Sequence, residues 1–170
     1  FRRCTDTQVA VWDAVRENLG EGSRRQTGIC FDFHTNSNAL ELTFNDGRKF
    51  DVYVDGILYW CAGAPVIALA LPEGEHRVTV IPSHSRTELR AFRLDDGASL
   101  RPHAFDRKIL FLGDSITQGW CASRDSLSWA WNICFALNAQ GLNQGVGGSW
   151  ATPEAFPTDV NFDPDTVIVA

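Results

Sequence analysis

The residues best suited to chemistry in this chain are Asp114 and Ser115, which directly follow a short apolar run. Residues 109–112 are apolar and end at Gly113, and a segment that can begin a helix follows Ser115. A serine at such a strand-to-helix turn holds its hydroxyl at the rim of a sheet, and its backbone N–H lies where a helix leaves donors unpaired. This arrangement suits a nucleophile whose attack creates an oxyanion, so it favours hydrolysis of an ester.

A glycine-rich segment at residues 143–149 is the second candidate for the site. Glycine allows close approach of the backbone to a substrate because no side chain intervenes. Gly145, Gly147 and Gly148 do not give the G-x-G-x-x-G spacing of a dinucleotide-binding loop, since the third position falls at Ala151. Two interpretations stay open, a loop that offers its N–H groups to a substrate and a flexible turn after a strand.

Residues 28–94 have the pattern of an all-β domain. Residues 40–44 and 50–54 alternate between apolar and polar types, and the turn signals Asn45-Asp46-Gly47 and Asp55-Gly56 follow them. Several short strands at close spacing predict an antiparallel sandwich of jelly-roll type. Further strands are expected at 57–60, 66–71, 76–81 and 88–94, and a short helix at 7–19.

The pattern changes after a predicted linker at residues 95–103. The apolar run 109–112 indicates a strand that is buried on both faces. A helix is predicted over 126–138, capped by Asp125 or Ser126, with strands at 141–144 and 166–170. This order predicts a parallel α/β sheet, in which ligands bind beyond the carboxyl ends of the strands. We therefore expect two domains, residues 1–104 and residues 105–170.

Composition argues against several classes of function. The net charge of −6 on 170 residues does not provide the clustered Lys and Arg that nucleic acid requires. The longest apolar stretch, residues 62–71, is shorter than the roughly 20 residues of a membrane-spanning helix. No signal peptide is visible at Phe1, and the absence of methionine suggests a processed, trimmed or incompletely recorded chain.

The cysteines and histidines fit no metal-ligand spacing, so neither a metal nor an organic cofactor is expected. Most of the five cysteines are expected to be buried thiols, with one or two disulfides left open. His34 and His76 are expected on strands and His84 in a loop. His103 lies nearest to Ser115 in sequence, but it is not expected to act as its base.

The segment Gly113-Asp114-Ser115-Ile116, extended to Gly119, resembles the first block of the SGNH, or GDSL, hydrolases. It differs from the G-x-S-x-G turn of α/β-hydrolases because Thr117 replaces the last glycine. The resemblance implies a flavodoxin-like domain in which Ser115 is the nucleophile and its N–H one oxyanion donor. Gly148 is the best match for the second donor, with Gly145 and Gly147 as rivals. The competing interpretation is a serine that only caps a helix.

The resemblance also implies residues that this sequence does not contain. The family supplies an oxyanion-binding Asn in a Gly-x-Asn-Asp segment and a general base in Asp-x-x-His, and neither segment occurs here. Residues 167–170 resemble the strand that precedes the first of these segments. We therefore expect a truncated hydrolase domain that is nearly inactive by itself.

A β-sandwich placed before this block is similar to two-domain SGNH esterases, including carbohydrate esterases that deacetylate polysaccharides. The resemblance implies an acylated carbohydrate or another small ester as substrate, and it slightly favours a secreted or periplasmic location. Asp114, Trp120 and Trp150 are the candidate substrate-binding residues, and an oligomer is left open. The alternative function is a carbohydrate-binding or structural sandwich attached to an incomplete, inactive hydrolase domain.

Overall fold

The computed structural model describes residues 3–15, 25, 27–47, 49–84, 87–149, 153–156 and 160–170. The chain forms two compact units. One is an α/β unit made of Phe1–Gly28 and Phe105–Ala170, and the other is a β-sandwich unit made of Ile29–Ala104.

The sandwich unit contains a five-stranded and a three-stranded antiparallel sheet in its described residues, with orders β4-β3-β6-β1-β8 and β5-β2-β7. All the strands predicted between residues 40 and 94 are present, and β8 lies within the predicted linker. The strands are β1 Phe31–Thr35, β2 Ala39–Phe44, β3 Lys49–Val54, β4 Ile57–Gly63, β5 Val66–Ala70, β6 His76–Pro82, β7 Leu89–Leu94 and β8 Leu100–Pro102.

The two sheets of this unit share one apolar core. Alternation along β2 buries Leu40, Leu42 and Phe44, and the Phe44 ring stacks on Phe50 of the other sheet at 3.7 Å between centroids. Asp55 and Gly56 both have positive φ, at 51° and 80°, which fits the predicted tight hairpin between β3 and β4. The alternating pattern therefore reports correctly which face of β2 is buried. On β3 the polar Asp51 is buried as well as its apolar neighbours, which alternation does not predict.

The α/β unit is built on a parallel sheet of three strands in its described residues, with order β10-β9-β11. The central strand buries residues 109–112, as its unbroken apolar pattern predicts. The strands are β9 Arg107–Gly113, β10 Ala139–Gly145 and β11 Thr166–Val169. The helices are α1 Asp6–Val15, α2 Ser115–Gln118 and α3 Trp129–Ala136, with 3₁₀ turns at Asp125–Leu127 and Pro153–Ala155.

The predicted helix over residues 126–138 is wrong in its first turn. A 3₁₀ turn, Asp125–Leu127, comes first, and Ser128 has an extended backbone (φ −62°, ψ 149°) that interrupts the helical path. The Ser128 hydroxyl accepts a hydrogen bond from the Trp131 N–H at 3.4 Å. Ser128 is therefore the N-cap of α3, rather than Asp125 or Ser126.

The structure corrects the predicted domain boundary for the first 28 residues, which belong to the α/β unit and not to the sandwich. Cys4 and Trp12 pack with Val146 and Ala155 in one buried cluster. The Arg3 guanidinium, 2% exposed, donates to the carbonyl of Gly145 at 2.6 Å. Contacts between segments so distant in sequence leave no local pattern, so hydrophobic periodicity could not reveal them.

None of the five cysteines, all of which are described, forms a disulfide. Burial raises the pKa of the Cys4 thiol to about 11 and that of Cys134 to about 12. Among the described residues, no helix has the length and apolar character needed to cross a membrane.

Candidate active site

Ser115 is the first residue of α2 and follows directly on the carboxyl end of the central strand. Asp114 caps this short helix, because its carboxylate accepts a hydrogen bond from the Ile116 N–H at 2.8 Å. Gly119 ends the helix with φ 94°, and its N–H donates to the Ile116 carbonyl at 3.1 Å. The local residue types therefore specify the turn that presents Ser115, as the sequence predicts.

Gly113 permits α2 to pack tightly on the strand. A Cβ atom at this position would overlap the Thr117 side chain and would lie 2.5 Å from the Ala170 carbonyl oxygen. The Gly113 carbonyl accepts hydrogen bonds from the Val146 N–H at 2.9 Å and from the Ser149 hydroxyl at 3.2 Å. The turn before Ser115 and the loop after β10 are thus joined directly through one peptide group.

The glycine-rich loop lies beside Ser115. A Cβ atom built on Gly147 would be 3.5 Å from the Ser115 Cβ, which is ordinary van der Waals contact. Gly148 follows with φ 84° and is exposed. Residues 113–115 and 145–148 are therefore brought to the same edge of the sheet, which is where ligands bind in parallel α/β sheets.

The three candidate glycines differ in what their N–H groups do. The Gly145 N–H donates to the Asn143 Oδ1 at 2.9 Å, and the Gly147 N–H donates to the Gln118 Oε1 at 2.7 Å. Within the described part of the chain, the Gly148 N–H has no acceptor. Gly148 is therefore the member of the trio whose donor is available to a ligand.

Ser115 is half-buried, and neither its hydroxyl nor its N–H has a partner among the described residues. Asp114 uses a carboxylate oxygen as the helix cap, which gives that side chain a structural role.

Trp120, 48% exposed, donates from Nε1 to the Gln118 Oε1 at 3.1 Å. The Arg25 guanidinium carbon lies 5.1 Å from the Trp120 ring centroid, in cation–π geometry. Trp150 lies outside the described residues. In the sandwich unit Tyr59 is exposed, whereas Trp60 packs against the core.

A buried polar network behind the loop was not predicted from the sequence. Gln8 and Gln144 exchange side-chain hydrogen bonds, and the Gln144 Nε2 also donates to the Arg3 carbonyl at 2.5 Å. Asn143 donates from Nδ2 to the Thr117 carbonyl at 2.6 Å, which ties β10 to α2. The sequence did contain a signal for this network. Two consecutive amide residues, Asn143 and Gln144, lie in a strand of a parallel sheet, and such strands are buried on both faces.

A cavity of about 180 Å³ lies at the carboxyl ends of the three parallel strands. Gly113, Asp114 and Ser149 line one part of it, and the apolar part includes Trp12 and Phe156. The cavity therefore adjoins the turn that carries Ser115.

All four histidines of the chain belong to the sandwich unit, so the α/β unit contains none. His34 and His76 lie on β1 and β6. The His34 Nε2 and His103 Nδ1 atoms form a hydrogen bond at 2.9 Å, and His76 bonds to Asp55 at 2.6 Å. A search of the described residues finds no group of three or more His, Cys, Asp or Glu side chains placed to hold a metal ion.

No protein-family model matches this chain, and no curated protein sequence matches it. Solved structures do share its fold. A putative GDSL-like lipase from Bacteroides ovatus has a TM-score of 0.71 at 21% identity, with 99% of this chain and 57% of that protein covered. A salicylyl-acyltransferase of a tetracycline biosynthetic pathway has a TM-score of 0.65 at 22% identity. The alignment covers 85% of this chain and 47% of that protein.

An active-site mutant of a family two carbohydrate esterase from Clostridium thermocellum has a TM-score of 0.60 at 18% identity. The alignment covers 85% of this chain and 59% of that protein. At these identities the likeness establishes the fold. The chain spans between 47% and 59% of the length of these three proteins.

Proposed function

We propose that this chain carries the nucleophile and two oxyanion donors of a serine esterase of the SGNH type. The observation that carries the proposal is the placement of the Gly147–Gly148 loop against Ser115, with the Gly148 N–H left without an acceptor among the described residues. The fold shared with a GDSL-like lipase and a carbohydrate esterase supports the same function.

In the proposed reaction, the Ser115 hydroxyl oxygen attacks the ester carbonyl carbon while its proton passes to a general base. The carbonyl oxygen becomes an oxyanion, which accepts hydrogen bonds from the N–H groups of Ser115 and Gly148. The intermediate collapses with loss of the alcohol, which takes the proton from the base. Water then attacks the acyl-serine by the same steps and releases the carboxylic acid.

The general base and a third oxyanion donor are proposed to lie outside these 170 residues. The α/β unit contains no histidine, and the sequence lacks the family's Asp-x-x-His and Gly-x-Asn-Asp segments. A serine hydroxyl is a weak nucleophile unless a base removes its proton. We therefore expect the 170-residue chain alone to turn over esters much more slowly than the complete enzyme.

The proposed substrate is an acylated carbohydrate or another small ester. One of the proteins that share this fold is named as a carbohydrate esterase, which supports the class of substrate. The exposed Trp120, close to Gly147, offers an aromatic surface at the edge of the site.

The test is hydrolysis of para-nitrophenyl acetate by the complete enzyme and by its Ser115→Ala variant. Loss of the nucleophile should lower kcat by roughly 10³-fold or more. Ser123→Ala is the matched control, because Ser123 is an exposed serine of the same unit. Equal rates for Ser115→Ala and the unmodified enzyme would refute the assigned nucleophile.

A further inference from the structure

Gln118 is a buried side chain, 2% exposed, whose contacts the proposed reaction does not use. It is the last residue of α2, three positions after Ser115 and therefore on the same side of the helix. Its Oε1 atom accepts hydrogen bonds from the Gly147 N–H at 2.7 Å and from the Trp120 Nε1 at 3.1 Å. Both partners can only donate, so the atom that faces them is the carbonyl oxygen, and both of its lone pairs are used.

One of these two bonds holds a segment of two consecutive glycines, whose backbone is intrinsically flexible. Two consecutive glycines, Gly147 and Gly148, have access to a wide range of φ and ψ angles unless a contact restricts them. Gln118 restricts the first of them, because its Oε1 accepts the hydrogen bond from the Gly147 N–H. The same contact holds Gly147 beside Ser115, and the peptide that links Gly147 to Gly148 is thereby fixed at one end.

The tie made by Gln118 is separate from the one that joins the helix to the strand. Asn143 already connects β10 to α2, because its side chain donates to the Thr117 carbonyl and accepts from the Gly145 N–H. Gln118 acts beyond that point, on the Gly147 N–H. Asn143 is therefore sufficient to hold α2 on the sheet, and the bonds of Gln118 have a different role.

We propose that Gln118 is a positioning residue, which directs the Gly148 N–H towards the oxyanion at Ser115 by holding the Gly147 N–H. The inference rests on the proposed esterase function. A donor that is already oriented needs no rearrangement when charge develops on the substrate, so its loss should weaken binding of the tetrahedral adduct more than binding of the ester.

The first measurement uses the complete enzyme and does not depend on catalysis. Backbone amide exchange, followed by NMR, should show that Gln118→Met accelerates exchange of the Gly147 N–H by at least about tenfold. Gln118→Glu should restore its protection to within about twofold of the unmodified chain, because a carboxylate accepts the same two bonds. Gln140→Met is the control, since Gln140 lies at an exposed position of β10, away from the glycine loop.

The second measurement uses the complete enzyme with phenylboronic acid, which forms a tetrahedral adduct with a reactive serine, and with para-nitrophenyl acetate. Gln118→Met should weaken boronate binding and lower kcat, each by at least about tenfold, while KM changes by less than about twofold. Gln118→Asn keeps the amide but places its oxygen farther from Gly147, so it should also weaken boronate binding and lower kcat. This variant replaces Gln118→Met in the test if Gln118→Met does not fold. Gln140→Met, at an exposed position of β10, should leave boronate binding and kcat within about twofold.

The outcomes separate the inference from the function on which it rests. If the unmodified enzyme neither binds the boronate nor hydrolyses the ester, the proposed function and this inference both fail. If the unmodified enzyme is active but Gln118→Met and Gln118→Asn leave kcat and boronate binding unchanged, the inference alone is overturned. Unchanged Gly147 exchange in these variants would overturn it as well.

Discussion

Gln8 and Gln144 face each other inside the α/β unit and exchange two hydrogen bonds, at 2.9 Å and 3.2 Å between their Nε2 and Oε1 atoms. Both side chains are 1% exposed. The pair joins α1, near the beginning of the chain, to the strand that leads into the glycine loop. It therefore explains why the first residues belong to this unit and supports the end of β10 from behind.

Because the two amides bond to each other, their contributions to the free energy of unfolding should be coupled. Gln8→Leu and Gln144→Leu should each lower the free energy of unfolding by about 1–3 kcal/mol, since each leaves a buried polar partner unsatisfied. The double variant should lose less than the sum of the two, as measured by denaturant unfolding. Gln140→Leu, at an exposed position of the same strand, should change stability by less than about 0.5 kcal/mol. Strict additivity would contradict the coupling.

Gly113 should tolerate no larger side chain. Gly113→Ala places a Cβ against the Thr117 side chain and 2.5 Å from the Ala170 carbonyl oxygen, so the strand and α2 must move apart. We expect a loss of about 3 kcal/mol in the free energy of unfolding, within the range seen for overpacked cores. The control is Gly47→Ala, whose nearest neighbour would be Pro65 at 3.6 Å and which should cost less than about 0.5 kcal/mol. Similar effects of the two substitutions would rule out the tight packing.

The burial of His34 should make the sandwich unit less stable in acid. Burial lowers the pKa of His34 below its ordinary value of 6.5, and the neighbouring Arg101 and His103 act in the same direction. The unfolded chain therefore binds the proton first as the pH falls through 6.5, and the stabilisation is lost progressively below that value. Arg77 and Arg101 flank His34 on β6 and β8, and Asp32 and Glu75 bond to these arginines.

The measurement is the free energy of unfolding between pH 5 and pH 8, monitored on amide signals of the sandwich. The stability difference between the unmodified chain and His34→Gln should shrink as the pH falls. For His76→Gln the stability difference should change with pH in the opposite direction. The hydrogen bond to Asp55 raises the pKa of His76. The contribution of His76 to the free energy of unfolding is therefore present in acid and lost as the pH rises. Parallel curves for the unmodified chain and His34→Gln would contradict this account.

The sequence by itself located Ser115, because short-range residue types specify its turn. An apolar strand, a capping Asp114 and a closing Gly119 act over a few neighbouring residues, and each has the same effect in almost any protein. Alternation likewise predicted the strands of the sandwich from residue 40 to residue 94. These features needed no knowledge of distant contacts.

Only the tertiary structure decided how the site is held together. The donor of Gly147 is used by Gln118, which leaves that of Gly148 available, and residues 1–28 join the α/β unit through Arg3 and Gln8. These hydrogen bonds connect residues that lie between 29 and 142 positions apart in the chain. A buried amide side chain can both donate and accept hydrogen bonds, so its residue type does not specify its partner. The folded backbone determines which donor or acceptor lies close enough to bond.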